Sequence, residues 1–83
     1  MSDDPAQRLA TMVEAMARGL VDHPDQVRVE VEPGATATLS LHVAQEDLGQ
    51  VIGRGGRIAR ALRTIVREAA HVSGIKATLG IVD

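Results

Sequence analysis

The chain has 83 residues, of which 45% are hydrophobic and 24% are charged, and this is the size and composition of one small globular domain. It contains no cysteine, which excludes a disulfide framework and a thiolate metal site, and no Phe, Tyr or Trp, so the core has to be aliphatic. Its formal net charge of −2 argues against a nucleic-acid ligand when the total is taken alone.

The first residues are acidic and lack the basic and apolar segments of a signal peptide. No apolar run approaches the length of a transmembrane helix. Together with the absence of cysteine, these features predict a cytoplasmic protein that does not associate with membranes.

A first helix is predicted for residues 4–21. Asp4 is suited to cap its free amides, and Pro5 is suited to its first helical position. Apolar residues then recur at helical spacing and form one stripe, which consists of Leu9, Met12, Val13, Met16 and Leu20. The polar turn at residues 22–25 ends the helix.

Two strands joined by a turn follow the first helix. Residues 26–32 alternate valine with polar or charged side chains, and residues 35–43 alternate apolar with polar side chains. Pro33 and Gly34 separate the two runs, so the sequence predicts a β-hairpin with one buried face.

Two helices and a last strand complete the chain. Residues 45–52 predict a short helix with Glu46 and Asp47 in its first turn, where acidic groups interact favourably with the helix dipole. Residues 57–72 form the strongest helical pattern, and residues 75–81 alternate as a strand. The side of the long helix that is expected to face the sheet consists of Ile58, Leu62, Ile65, Val66 and Ala69.

The positive charge is concentrated around the long helix. Residues 51–71 contain five arginines and one glutamate, a net charge of +4, whereas the rest of the chain carries −6. On a helical wheel, four arginines fall within about one third of the circumference: Arg57, Arg60, Arg63 and Arg67. A solvated helix face would explain this stripe by itself, but the asymmetry also fits a basic site on an otherwise acidic protein.

The segment Gly53-Arg54-Gly55-Gly56 leads into the long helix. Free backbone amides and the positive end of the helix dipole make such a position suitable for a phosphate. The nucleotide P-loop is excluded because no Lys-Ser or Lys-Thr follows a glycine here, and the spacing of the glycines does not match the dinucleotide motif. A tight turn needs one glycine rather than three, so the two-helix G-x-x-G clamp for a single strand is favoured.

The segment from Val51 to Ile58 resembles the K-homology (KH) motif, in which an aliphatic pair precedes G-x-x-G and an aliphatic residue follows. The order of the elements is similar to the type II, bacterial arrangement of that domain. Further segments resemble the KhpA family of small stand-alone KH proteins: residues 20–25, 46–49, 57–66 and 80–83. The resemblance implies a single KH domain over residues 1–83, with its core at about 26–83 and residues 4–21 as an N-terminal helix.

The fold implied by the resemblance is α+β and KH-like of type II, with the order α-β-β-α-(GxxG)-α-β and a three-stranded sheet packed by helices on one face. The implied function is non-catalytic binding of single-stranded RNA, as in an RNA chaperone. The implied partners are single-stranded RNA and a second KH protein, either another copy of the chain or a larger KhpB-type protein. No cofactor, metal or small-molecule substrate is implied.

The resemblance also assigns RNA-binding residues by position, and these are Ile52, Gly53, Arg54, Gly55, Gly56, Arg57, Ile58, Arg60 and Leu62. The glycines and Arg54 correspond to the backbone clamp. Ile52, Ile58 and part of Leu62 correspond to an aliphatic groove that receives bases. The chain departs from the family pattern at Gly55, where a polar or basic residue is usual, and we expect a looser loop there.

The main alternative is a protein-interaction subunit whose KH fold chiefly dimerises and whose RNA binding is secondary. Catalysis is not expected. Ser40 and Ser73 have no evident base as a partner, and no pair of carboxylates stands out in an apolar setting. The spacing of His23, His42 and His71 matches no metal motif, so structural roles are expected for all three.

Overall fold

The computed structural model describes residues 4–83. Its helices and strands are α1 (Pro5–Arg18), β1 (Arg28–Glu32), β2 (Ala37–His42), α2 (Leu48–Ile52), α3 (Arg57–Val72) and β3 (Ala77–Val82). Single 3-10 turns lie at Pro24–Gln26, Gln45–Asp47 and Arg54–Gly56. The predicted α+β class and the predicted order of helices and strands are confirmed.

The three strands form one mixed sheet in the order β1-β2-β3. The predicted hairpin is confirmed, because β1 and β2 pair antiparallel with Val31 opposite Leu39. Strands β2 and β3 pair parallel, with Leu39 opposite Leu79. A parallel pair requires a long crossover connection, and here α2, the glycine loop and α3 supply it.

The helices cover one face of the sheet, as predicted. Ala37, Leu39 and Leu41 are buried on that face of β2, whereas Thr38 between them is exposed. Helix α1 contacts mainly β1, and α3 contacts mainly β3. The largest fully buried apolar side chains are Val13, Leu39, Leu41, Val51 and Val66. Each such aliphatic side chain contributes about 1.5–3 kcal/mol when it leaves water, so a core without aromatic rings is sufficient at this size.

The first helix is shorter than predicted. It ends at Arg18, and Gly19 follows as its C-terminal cap. Leu20, which was expected to continue the apolar stripe, lies in the turn beyond the helix and is 38% exposed. No helix within residues 4–83 has the length and the apolar content that crossing a membrane requires.

The long helix has the predicted bounds, and Leu62 and Val66 of its predicted inner side are buried, with Ile58 and Ala69 packed against the core. Ile65 was expected to face the sheet and is 42% exposed, so this prediction was wrong. Ala59 and Ala70 are buried in its place, beside Leu62 and Val66. Small side chains at the contact allow α3 to lie close to the sheet and to α1, and this turns Ile65 towards solvent.

Candidate nucleic-acid interface

The loop between α2 and α3 has a backbone conformation that favours glycine. Gly53, Gly55 and Gly56 have φ angles of +77°, +63° and +76°. A Cβ atom on Gly53 would lie 2.7 Å from Cγ1 of Ile58 and 3.0 Å from its backbone nitrogen, which is closer than side chains tolerate. Gly53 is therefore fixed by both its conformation and its neighbour.

Two hydrogen bonds hold the loop in place. The amide of Gly53 donates to the Gly49 carbonyl at 2.9 Å and closes α2, and the amide of Gly56 donates to the Gly53 carbonyl at 3.1 Å. Val51 anchors α2 in the core and is fully buried. As a result the loop delivers the chain to the first turn of α3, where the leading amides of a helix have no carbonyl partner within the helix.

Three exposed arginines surround this helix N-terminus. Arg54 lies in the loop, and Arg57 and Arg60 lie in the first turn of α3. No acidic side chain within residues 4–83 forms an ion pair with any of them. Their charge therefore adds to the positive end of the helix dipole without internal compensation, which is suitable for holding an anion such as a phosphate.

The other two arginines of the predicted stripe have different surroundings. The Nε atom of Arg63 donates to the backbone carbonyl of Leu79 at 3.2 Å, which shows that this side of α3 faces β3. Arg67 lies 3.7 Å from the Glu68 carboxylate, and both side chains are largely exposed. The arginine stripe thus begins beside the glycine loop at Arg57, and Arg63 places its middle part next to β3.

The aliphatic residues assigned by the resemblance are not equally accessible. Ile52 is 38% exposed at the end of α2, and Ile58 is half-buried against Gly53. Leu62 is only 4% exposed and belongs to the hydrophobic core. Ile52 and Ile58 are therefore the accessible members of the predicted aliphatic groove, whereas Leu62 is enclosed in the core.

A buried acidic residue near the loop was not identified from the sequence. Asp47, which was predicted in the first turn of a short helix, directly precedes α2 and is 1% exposed. Its Oδ2 atom accepts hydrogen bonds of 3.0 Å from the backbone nitrogen and from Nδ1 of His23. These contacts, called the His23–Asp47 latch below, join the turn after α1 to the beginning of α2.

The latch alters the acid-base properties of both residues. The hydrogen bond to Asp47, followed by the charge of that carboxylate, raises the pKa of His23 above 6.5, and the carboxylates of Glu46 and Asp22 act in the same direction. Burial alone would raise the pKa of Asp47, but hydrogen bonds from His23 and from the backbone of Asp22 outweigh it and lower that pKa below 3.8. Both shifts favour the charged pair.

A second contact links the same two segments, since Nε2 of Gln50 donates to Oδ2 of Asp22 at 3.3 Å. Helix α2 and the residue before it are therefore held to the turn after α1 by contacts of two neighbouring residues, Asp22 and His23. Because α2 leads directly into Gly53, the latch fixes the direction from which the chain enters the glycine loop. No local sequence pattern could have revealed it, since His23 and Asp47 are 24 positions apart.

The other two histidines lie apart from the loop. Nε2 of His42 is 2.7 Å from the Glu30 carboxylate on the neighbouring strand. His71 is exposed near the end of α3. Within residues 4–83, no cluster of three or more histidine, cysteine or acidic side chains is arranged to hold a metal ion.

Comparisons with known proteins agree with this geometry. The family model described as "KhpA/KhpB, KH domain" matches residues 10–81. A protein of Treponema pallidum (strain Nichols) named RNA-binding protein KhpA is 48% identical over 73 residues, which cover 87% of this chain and 91% of that protein. A protein of the same name from Aquifex aeolicus (strain VF5) is 45% identical over 76 residues, which cover 90% of this chain and 96% of that protein.

A solved structure is also similar in fold. The crystal structure of Era from Aquifex aeolicus, bound to GDP and AlF4−, superposes with a TM-score of 0.63 at 20% sequence identity. The similarity covers 98% of this chain but only 31% of the Era chain. At this level of identity the match concerns the fold alone. The family model and the relatives of nearly equal length are decisive, and the chain belongs to the KhpA/KhpB KH-domain family.

Proposed function

We propose that this protein binds single-stranded RNA without catalysis, as an RNA chaperone in the cytoplasm, and that the glycine loop grips the phosphate backbone. The observation that carries the proposal is the left-handed loop Gly53–Gly56, which presents a helix N-terminus beside three arginines that lack acidic partners within residues 4–83. The relatives named RNA-binding protein KhpA support RNA as the ligand.

The absence of aromatic residues defines how such binding has to work. Many single-strand binders stack bases on aromatic rings, which contributes about 1–3 kcal/mol per base, and this chain has no such ring. Phosphate contacts and the aliphatic surfaces of Ile52 and Ile58 remain as the sources of affinity. Binding by one domain should therefore be weak and salt-dependent, over about four nucleotides at the loop.

The test is fluorescence anisotropy with a labelled single-stranded RNA and an Arg54→Asp, Gly55→Asp variant. The change adds two carboxylates at the helix N-terminus and should abolish binding at 50 mM salt. A Gln7→Asp, Arg8→Asp variant changes the net charge by the same amount in the exposed first turn of α1, and it should bind like wild type. Circular dichroism checks that both variants are folded.

A salt series sharpens the test. If Arg54, Arg57 and Arg60 each contact a phosphate, log affinity should fall with log salt at a slope of about −2. Equal binding by wild type and the loop variant would contradict the proposed clamp. Equal loss in the loop variant and in the control would show that only net charge matters and would contradict it as well.

Association with a second KH protein is the other candidate function, and exposed apolar side chains on α3 favour it. Ile65 is 42% exposed and Val72 is 86% exposed. They are seven residues apart and thus lie on the same side of the helix, about two turns from each other. The partner is another copy of the chain or a larger KhpB-type protein.

Sedimentation velocity tests the homodimer. Wild type should sediment as a dimer at 100 µM, an Ile65→Glu variant should sediment as a monomer, and the Arg54→Asp, Gly55→Asp variant should remain a dimer. This pattern would separate association from RNA binding. A wild-type monomer at that concentration would contradict the homodimer.

A further inference from the structure

Helix α2 leads into the glycine loop and is too short to hold its own direction. It has five residues, Leu48–Ile52, and isolated helices of fewer than about 12 residues are marginal in water. Its contacts are mainly with α3 and with the turns on either side of it. Val51 is its one buried residue. A single buried side chain leaves rotation about that point open, so the direction of α2 also depends on contacts outside the helix.

The His23–Asp47 latch supplies such contacts at the residue before α2. Oδ2 of Asp47 accepts hydrogen bonds of 3.0 Å from the backbone nitrogen and from Nδ1 of His23. Asp47 occupies the N-cap position of α2, where an aspartate usually accepts a hydrogen bond from an amide in the first turn of its own helix. Asp47 makes no such bond. Its carboxylate is thus used to join α2 to the turn after α1 rather than to cap α2.

The burial of Asp47 makes the latch sensitive to the loss of either partner. The side chain of Asp47 is 1% exposed, whereas that of Glu46 beside it is 70% exposed. A buried carboxylate is costly unless it is hydrogen-bonded, and within residues 4–83 no buried side-chain nitrogen or oxygen lacks a partner. Without the bonds from His23, the carboxylate would have to reach water, and the start of α2 would have to move with it.

A movement of α2 would be transmitted to the phosphate site. Gly53 follows α2 directly, and its carbonyl accepts a hydrogen bond of 3.1 Å from the amide of Gly56, the residue before α3. Gly53 also lies so close to Ile58 in the first turn of α3 that the loop has no room to absorb a shift on that side. The position of α2 therefore affects how the loop meets the first amides of α3.

We propose that the His23–Asp47 latch is a positioning device for RNA binding, which holds α2 so that the glycine loop and the first turn of α3 form one phosphate site. The inference rests on the proposed RNA binding at that loop. Neither residue of the latch has to contact the RNA. In molecules whose latch is open, the loop is misplaced, and the apparent affinity falls with the fraction of molecules in which the loop is in place.

The charge of Asp47 separates this role from a direct electrostatic effect. Replacing a carboxylate by a neutral group makes the protein more positive, so electrostatics alone should strengthen RNA binding. Loss of the latch should weaken it. The test variant is therefore Asp47→Asn, and the matched control is Glu46→Gln. The control removes the same charge from the neighbouring residue, whose carboxylate is exposed and lies 3.9 Å from Nε2 of His23.

Fluorescence anisotropy with a labelled ten-nucleotide oligouridine at 50 mM salt measures the effect. Asp47→Asn should bind about fivefold more weakly than wild type, a change typical of residues that act on a site without touching its ligand. Glu46→Gln should bind like wild type or slightly more tightly. Circular dichroism and urea denaturation establish that each variant is folded in the assay. The Arg54→Asp, Gly55→Asp variant is measured in parallel.

A second pair of variants covers the case in which Asp47→Asn does not fold. His23 is 40% exposed, and both His23→Asn and His23→Ala keep its backbone bond to Asp47. The amide nitrogen of asparagine can take the place of Nδ1, whereas alanine has no side-chain donor. RNA affinity should therefore be restored in part by His23→Asn relative to His23→Ala. A direct effect of the imidazole on RNA would make the two variants equal.

Amide resonances of the glycines report the position of the loop without RNA. In Asp47→Asn, the ¹H–¹⁵N resonances of Gly53, Gly55 and Gly56 should move from their wild-type positions. In Glu46→Gln they should stay where they are. Loop resonances that do not move in Asp47→Asn would contradict the transmission from the latch to the loop.

Wild-type or tighter RNA binding by folded Asp47→Asn would overturn the positioning role, and so would an equal loss in Glu46→Gln. If Asp47→Asn does not fold, equal affinities of His23→Asn and His23→Ala would overturn it. If the loop variant loses binding in these cases, RNA binding at the loop stands and only the role of the latch fails. If wild type and the loop variant bind equally, or if wild type binds no RNA, the proposed function fails and the positioning role fails with it.

Discussion

The two ends of α3 carry similar groups but are built in different ways. At the N-terminal end, three of the four loop positions 53–56 depend on glycine, and Gly53 touches Ile58 so closely that no side chain fits. At the C-terminal end, Gly74 also has a positive φ of +76°, but a Cβ atom there would meet no atom within 4 Å. One end is determined by backbone geometry, and the other by side chains that separate elements bring together.

The two ends of α3 differ in how strongly their structure depends on particular residue types. Residues adjacent in the chain form the glycine loop, so its function tolerates little change in those residues. At the C-terminal end, the lining of a cavity comes from separate elements: Thr36 from the hairpin connection, Arg67 from α3 and Lys76 from the connection before β3. The backbone of Lys76 is fixed by a hydrogen bond of 2.9 Å from the Ala37 amide, whereas its side chain is free to change without altering the fold.

The largest expected effect is that of Gly53→Ala. The alanine would adopt a strongly disfavoured conformation, which costs about 1–3 kcal/mol, and its Cβ would in addition clash with Ile58. We expect the free energy of unfolding to fall by at least about 2 kcal/mol, as measured by urea denaturation, and RNA binding to be lost.

The control for Gly53→Ala is Gly49→Ala, one turn earlier in α2. Gly49 has open space around its Cβ position and no positive φ, so alanine should stabilise the protein by about 0.5–1 kcal/mol. If the two variants unfold at the same urea concentration, the geometry of Gly53 does not constrain the loop.

Intermediate effects are expected for Gly55→Ala and Gly74→Ala, which compare the two ends directly. Both glycines have positive φ and open surroundings, so each alanine should cost about 1–2 kcal/mol in urea denaturation. Gly55→Asn should cost less than Gly55→Ala, because asparagine tolerates this conformation better. A cost at Gly55 as large as that at Gly53 would show that contact with Ile58 is not what distinguishes the two positions.

Much of the fold was predictable because its signals are local. The period-two alternation around Pro33-Gly34 predicted the hairpin, and the helical periodicity after Gly56 predicted α3 with the bounds that the structure has. The glycine loop was predictable for the same reason, because backbone positions with a positive φ angle favour glycine, and the glycines are visible in the sequence. Its arginines are also adjacent to it in the chain.

The remaining features depend on how distant segments meet. A helical wheel gives the relative directions of Ile65 and Ala59 but not the rotation of the helix on the sheet, and this explains why Ile65 was placed incorrectly. The latch between His23 and Asp47 joins residues 24 positions apart. A histidine in a turn and an aspartate before a helix are both common on protein surfaces. Their residue types therefore do not reveal that these two side chains form a partly buried pair.

The smallest expected effect is the pH dependence of the His23–Asp47 latch, since the His23 side chain is 40% exposed and solvent screens its charge. The carboxylates of Asp47, Glu46 and Asp22 surround this imidazole and raise its pKa above 6.5. Protonation is therefore favoured in the folded state, so the contribution of His23 is complete below pH 6.5 and is lost as the pH rises through the raised pKa.

Asp47 has the opposite dependence, because its pKa is lowered below 3.8 in the folded state. Its contribution is present above pH 3.8 and is lost as the pH falls through the lowered value, so the latch is strongest between pH 3.8 and 6.5. We expect His23→Gln to reduce the free energy of unfolding more at pH 5.5 than at pH 8.5. In an Asp47→Asn background, this difference between the two pH values should shrink, since the main partner of the imidazole is gone. An equal effect of His23→Gln at both pH values would show that the charge of the imidazole does not hold α2 to the turn after α1.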